Sequence, residues 1–253
     1  MRRAIVGVSV LLYTLPTLLS AQQDDLDLER LEIPPLSAET SVPYFGIGGG
    51  FVGLFLFPEL EALNAKLQQW GMGTMSAPLF VSGIEGFATV GLIPNVRVGF
   101  FGIGGRKELQ SNFHPDTQRQ AELGITATGL AIAYAVVLVR SVTILPALAG
   151  GWGMMSVELA QAPSRTRWDE LPPQGAVTTF LQRLTASYLF LHPQLYVEYA
   201  PLPFLLLRLG GGYQFSFVGE WKQNRIAVTD GVPQTLKASG ASAQFAIFVG
   251  LFN

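Results

Sequence analysis

Hydrophobic and polar residues alternate with a period of two through most of this chain. In 237–252 the odd positions Phe245, Ile247, Val249 and Leu251 form an apolar row. The even positions Ser242, Gln244, Ala246 and Gly250 are small or polar, with Phe248 and Phe252 as exceptions. Side chains two apart share one face of a strand, so one face of this segment is greasy and the other is not. The same pattern recurs in 204–220, where Leu205, Leu207, Leu209, Tyr213, Phe215 and Phe217 oppose Arg208, Gly210, Gly212, Gln214 and Ser216. In 181–199, Leu189, Leu191, Pro193, Leu195, Val197 and Tyr199 oppose Tyr188, Phe190, His192, Gln194, Tyr196 and Glu198. Five further strand-like segments precede these, at 44–57, 76–92, 96–106, 119–139 and 142–159.

The connections alternate in length. Those at 93–95, 140–141 and 200–203 are very short; those at 58–75, 107–118, 160–180 and 221–236 are long. An even number of strands with a greasy outer row, tight turns at one end and long loops at the other predicts an eight-stranded antiparallel up-and-down transmembrane barrel. Both ends of the barrel then fall on the short-turn side, expected to be periplasmic. In 127–130 the apolar row changes parity, which predicts a β-bulge. Tyr199, Trp221 and Trp152 are expected in interfacial aromatic girdles.

The first long loop carries a different period. Leu60, Leu63, Leu67 and Trp70 fall on one helical stripe, with Pro58 placed to start a helix and Gly71 to stop it. This amphipathic helix is expected across the outer rim or on the lipid headgroups, as a cap over the barrel mouth or, in a sharper reading, as a lid over a ligand.

Composition supports a membrane wall over a water-facing one. Charged residues make up 13% of the chain, about half the share of soluble domains, and mean hydropathy is +0.36. Stretches 123–139 and 142–157 are apolar enough to suggest a helical hairpin, but the remaining segments alternate instead of staying apolar throughout. Residues 1–21 combine Arg2 and Arg3, an apolar run and Leu19-Ser20-Ala21, the signature of a cleaved signal peptide. Residues 22–42 hold six acidic side chains against Arg30 and are expected to be a disordered acidic leader in the periplasm. The barrel is assigned to 43–253.

Several classes of chemistry drop out. No Cys means no disulfide or thiolate site, and a net charge of −2 leaves no basic footprint for nucleic acid. The histidines are His114 and His192, too few for a multi-histidine metal centre, and no cofactor motif is present. Gly46-Ile-Gly-Gly-Gly50 lacks the helix and Lys of a phosphate loop; these inner-row glycines make room for large neighbours.

Strand parity places Glu85, Arg97, Glu198 and Arg208 in the lumen. They either form a space-filling ion-pair network or act as a gate whose partners exchange. His192, Gln194, Tyr196 and Glu198 share one inner face. A base and its orienter is conceivable there, but no Ser lies two residues away on that strand. Phe113 to Asp116 and Arg165 to Glu170 offer charge and aromatic rings on long loops, as recognition surfaces do.

These features together resemble the small bacterial outer-membrane barrels of the OmpA/OmpX-like, "porin family" kind, over roughly residues 43–253. The last strand, with Phe245, Ile247, Val249, Leu251 and Phe252, resembles the signal read by the barrel-insertion machinery, although Asn253 stands where that family usually has Phe or Trp. The resemblance implies outer-membrane lipids and that machinery as partners and a structural or surface-interaction role without catalysis. A narrow gated pore is the alternative. A lipid-modifying enzyme comes third, because it would need a His/Ser/acid set on the outer rim that the sequence does not assemble.

Overall fold

A computed structural model describes residues 44–114, 117–139, 141–165 and 179–252. The chain divides into two units, 1–41 and 42–253, and every described residue belongs to the second. The expected signal peptide and acidic leader lie outside the described residues, as does Asn253.

Eight strands close into a ring. They are β1 (Gly46–Pro58), β2 (Leu79–Thr89), β3 (Val96–His114), β4 (Thr117–Tyr134), β6 (Val142–Pro163), β7 (Phe180–Leu202), β8 (Leu205–Val218) and β11 (Gly240–Phe252). Each pairs antiparallel with its sequence neighbour in the ring, and β11 returns to β1 from Gly46↔Phe252 to Pro58↔Gly240. Closure leaves no free sheet edge around the belt of the barrel. A short β5 (Val136–Val139) prolongs β4, and β9 (Lys222–Gln223) with β10 (Ala227–Val228) form a small hairpin beside β7. The start of β1 and the end of β11 lie together at the short-turn end. Among the described residues no helix is long and apolar enough to cross a membrane, and 123–139 and 142–157 are strands.

The alternation read from the sequence is the inside/outside alternation of this wall. On β7, Tyr188, Phe190, His192, Tyr196 and Glu198 are buried while Leu189, Leu191, Leu195 and Val197 are exposed. On β8 and β11, Arg208, Gln214, Ser216, Ser242, Gln244 and Phe248 point inward, and Leu209, Phe215, Phe217, Ile247, Val249 and Leu251 outward. With Phe51, Ile84, Phe100, Leu130, Ile132 and Leu148 also uncovered, the outer face is a continuous apolar belt. Hydrocarbon, not water, is the solvent such a belt suits.

Four expectations are corrected. The loop at 107–118 does not exist as a loop: β3 runs to His114 and β4 starts at Thr117, one long hairpin. Apart from Leu109, which packs against the plug, its described side chains are polar on both faces, so the alternation fades while the backbone ladder continues. No bulge interrupts 127–130, where β4 pairs in unbroken register with β3 and β6. The apolar row changes parity because Leu123 and Ile125 point inward beneath a hydrophobic plug, whereas Leu130 and Ile132 point outward. Pro58 ends β1, and helix α1 (Glu61–Gln69) starts three residues later with Leu60 at its N-cap. Trp221 lies buried in the plug, unlike Trp152 and Tyr199, which are exposed on the outer wall.

The lumen is filled in layers. At the long-loop end, the N-cap Leu60 and Leu63 and Leu67 of α1 pack with Met72, Met75, Leu79, Val81, Leu123, Met155, Phe190, Trp221 and Leu236 into one apolar cluster, and Trp70 packs against its rim. Gly71, at φ +75°, stops the helix as expected. The Arg119 guanidinium lies 5.1 Å from the Trp70 ring and donates to its carbonyl, tying the helix to β4. Below this plug comes a polar layer, and below that a layer of buried charge.

Candidate functional site

The charge layer joins four strands. Arg97 enters from β3, Glu85 from β2, Glu198 from β7 and Arg208 from β8, each on an inner row near the short-turn end. The pairing Glu198↔Arg208 places two of them side by side by register alone. Arg208 Nη1 donates to both Glu85 oxygens at 2.9 and 2.8 Å, and its Nε donates to Glu198 Oε1 at 2.8 Å. Arg97 Nη1 donates to Glu198 at 2.9 and 3.0 Å and to the Tyr44 hydroxyl at 3.0 Å; that hydroxyl donates back to Glu198 Oε2 at 3.2 Å. All four charges are at most 8% exposed.

Two carboxylates and two guanidiniums give the row Glu85–Arg208–Glu198–Arg97 a formal charge of zero. Aromatic faces complete its surroundings. The Arg97 guanidinium lies 4.0 Å from the Phe87 ring centre, and that of Arg208 lies 4.3 Å from Phe248 and 4.7 Å from Tyr196. Ion pairs this dry depend on their partners for stability, yet among the described residues the buried Arg208 Nη2 has no hydrogen-bond partner, and aromatic rings surround that guanidinium instead.

The polar layer above is built on glycines. Across β7, β8 and β11 the register aligns Gln194, Gly212 and Ser242 in one row and Tyr196, Gly210 and Gln244 in the next. A side chain at Gly212 would run into the Pro193 carbonyl, and one at Gly210 into the Tyr196 ring. Because β8 carries no side chain at these two points, side chains of β7 and β11 meet over it. The His192 Nε2 to Ser242 Oγ distance is 2.8 Å, and the Tyr196 hydroxyl donates to Gln244 Oε1 at 3.2 Å.

The Gln194 amide nitrogen sits against His192 Nδ1. Both His192 and Ser242 are under a tenth exposed, with α1 and its plug above them. The contact therefore lacks the access of a hydrolytic pair.

The structure thus gathers Glu85, Arg97, Glu198 and Arg208 into one cluster, and His192, Gln194 and Tyr196 into the layer next to it. The rim-helix residues Leu60, Leu63, Leu67 and Trp70 lie at the opposite end of the lumen. On the last strand, Ile247, Val249 and Leu251 face outward, Phe245 is half-buried and Phe252 turns inward against Phe87. Tyr44 and Ser242 were not singled out from the sequence. Tyr44 continues the inward parity of β1 by one step beyond the strand, the signal that locates it. Ser242 stood on the inner polar row, but its partner depends on register across β8. Among the described residues no group of acidic or histidine side chains is arranged to hold a metal ion. Residues 166–170 of the second candidate loop motif lie outside the described residues, as do residues 115–116 and the side chains of 113–114 in the first.

No family model and no curated protein matches the chain. Among solved structures it is similar to a major outer membrane protein from Thermus thermophilus, at 10% identity and a TM-score of 0.44 over 82% of this chain and 99% of that one. It is also similar to Ail, the attachment invasion locus protein of Yersinia pestis, in complex with the heparin analogue sucrose octasulfate. That match has 7% identity and a TM-score of 0.37, over 83% of this chain and 99% of that one.

Proposed function

We propose that this chain is a non-enzymatic outer-membrane barrel whose working surface is the wall it raises at its long-loop end. The supporting observation is the asymmetry of strand length. β3, β4, β6 and β7 contain 19, 18, 22 and 23 residues, whereas β1, β2, β8 and β11 contain 13, 11, 14 and 13. Pairing of β2 with β3 stops at Ser82↔Gly104, while β3 and β4 stay paired up to His114↔Thr117. One side of the barrel therefore stands taller, carrying Arg106, Glu108, Gln110 and Asn112 as an exposed polar row. A protein built only to fill membrane has no need of such an extension.

In this reading the long-loop end faces outward and the N-terminus and short turns face the periplasm. The last strand is delivered to the barrel-insertion machinery. Cells displaying the intact chain and a variant lacking residues 107–118 provide the test. Adherence and cell–cell aggregation should drop with the hairpin while the truncated barrel remains inserted. Unchanged adherence would overturn the reading.

The four-charge cluster supports a second reading, a narrow gated pore. In the Glu85–Arg208–Glu198–Arg97 row the two middle charges each touch two neighbours of opposite sign, the arrangement an exchange of partners needs. Conductance that changes in Arg208→Ala or Glu198→Gln would favour it. Catalysis on lipid has the weakest support, because the His192–Ser242 contact is enclosed on all sides.

A further inference from the structure

On the outer wall, β6 carries Leu148, Gly150, Trp152 and Met154 in its outward row. Gly150 interrupts this row and leaves a notch of ≈ 420 Å³ bounded by Gly150, Trp152, Leu189, Leu191 and Phe217. Packing does not require glycine here. A Cβ at position 150 would reach no atom closer than 3.4 Å, whereas one at Gly151 would strike the Thr128 backbone on the inner side. The gap is therefore open from the lipid side, in a surface otherwise covered by large side chains.

Polarity changes immediately above the notch. Along β7 the outward row reads Leu191, Leu189, Ser187, Thr185, Arg183. Along β6 it reads Trp152, Met154, Ser156, Glu158. The notch thus opens at the upper boundary of the apolar belt, where Trp152, 61% exposed, marks the interface. Beside this boundary the β9–β10 hairpin brings cations. Lys222 pairs with Thr185, four residues or about 13 Å along the strand from Leu189. The Asn224 side-chain oxygen accepts from the Arg183 N–H at 3.1 Å, and Arg225 follows in the turn at φ 65°. Glu158 offsets part of Arg183 at 3.8 Å, but Lys222 and Arg225 are exposed.

We infer that this notch and its cationic rim bind one anionic glycerophospholipid, with an acyl chain in the notch and the phosphate at Lys222 and Arg225. An apolar slot alone would suit a neutral lipid or a second copy equally well. The cations decide between them, because long Lys and Arg stems reach down to headgroup phosphates at this depth. The inference rests on the reading that the belt spans a bilayer.

The test is native mass spectrometry of the refolded barrel released from nanodiscs of phosphatidylglycerol mixed equally with phosphatidylcholine. The intact chain should retain one phosphatidylglycerol in preference to phosphatidylcholine. Gly150→Leu should lower that retention roughly tenfold, about the factor carried by two methylenes left unburied. Lys222→Gln with Arg225→Gln, both at the surface and remote from the core, should abolish the preference while leaving total lipid retention. Equal retention of the two lipids by the intact chain, or full retention by both variants, would overturn the site. So would a dimer that Gly150→Leu dissolves, which would make a second copy the occupant. If the chain does not insert, with heated and unheated samples migrating alike on a detergent gel, the membrane reading beneath it fails instead.

Discussion

Glu198 holds two guanidiniums and Arg208 two carboxylates, so loss of either should be felt more than loss of Glu85 or Arg97, which each hold one. Glu198→Gln leaves Arg97 and Arg208 with one full carboxylate between them in a space closed to water. A stability loss of about 3–5 kcal/mol is expected, read as a lower urea midpoint for the barrel in detergent. Removing Arg208 and Glu85 together takes out equal and opposite charge and leaves the Arg97–Glu198 pair at 2.9 Å intact. The double variant Arg208→Leu with Glu85→Leu should therefore cost less than the sum of the two single variants, and strict additivity would show that they do not act as a pair. The inward position of these four residues was legible in the sequence, because strand parity alone assigns it. Their mutual contacts were not, since contact depends on register across several strands. The same holds for His192 and Ser242, which meet only because Gly210 and Gly212 clear the strand between them. Gly50 makes a related point about closure. A Cβ there would meet the Ile247 carbonyl and come within 2.7 Å of Phe248 Cα, at the seam where β1 joins β11. Gly50→Val should prevent the seam from forming, and the gel band of the folded barrel should disappear.

Among the elements, α1 was the most legible and the β3–β4 hairpin the least. The helical stripe of Leu60, Leu63 and Leu67 follows from spacing, and all three side chains are buried in the plug. Leu67→Ala should cost about 2–5 kcal/mol, the usual range for a leucine deleted from a packed core, with the thermal unfolding midpoint as the readout. A helix lying on the headgroups would show almost no such loss. The hairpin was misread as a loop because the binary pattern reports which solvent each face meets. Beyond Leu109 and Ala121, which meet the plug, the described residues are polar on both faces, so β3 and β4 lose their alternation without losing their pairing. The misplaced bulge has the converse origin. Near the plug the inner row becomes as apolar as the outer one, and parity read from hydrophobicity then points the wrong way.

At the scale of the whole molecule, the closed ring, its apolar belt and its three-layer lumen bear on the proposed function together. A barrel plugged by a helix at one end and a charge cluster at the other suits the surface role proposed above better than a role for its interior. The eight strands and their order were legible because a period of two, repeated between short and long connections, admits few other closed arrangements. The filling of the lumen was only partly so, since the plug draws on residues from α1, the β9 region and most of the strands. The most direct measurement is single-channel conductance of the refolded barrel in a planar bilayer, with insertion verified on the same sample. A plugged lumen predicts no discrete steps from the inserted protein and no change in that silence when Arg208 is replaced by Ala. Regular steps whose size or open time shifts with Arg208→Ala would contradict it and make the lumen, with its four paired charges, the working part of the molecule.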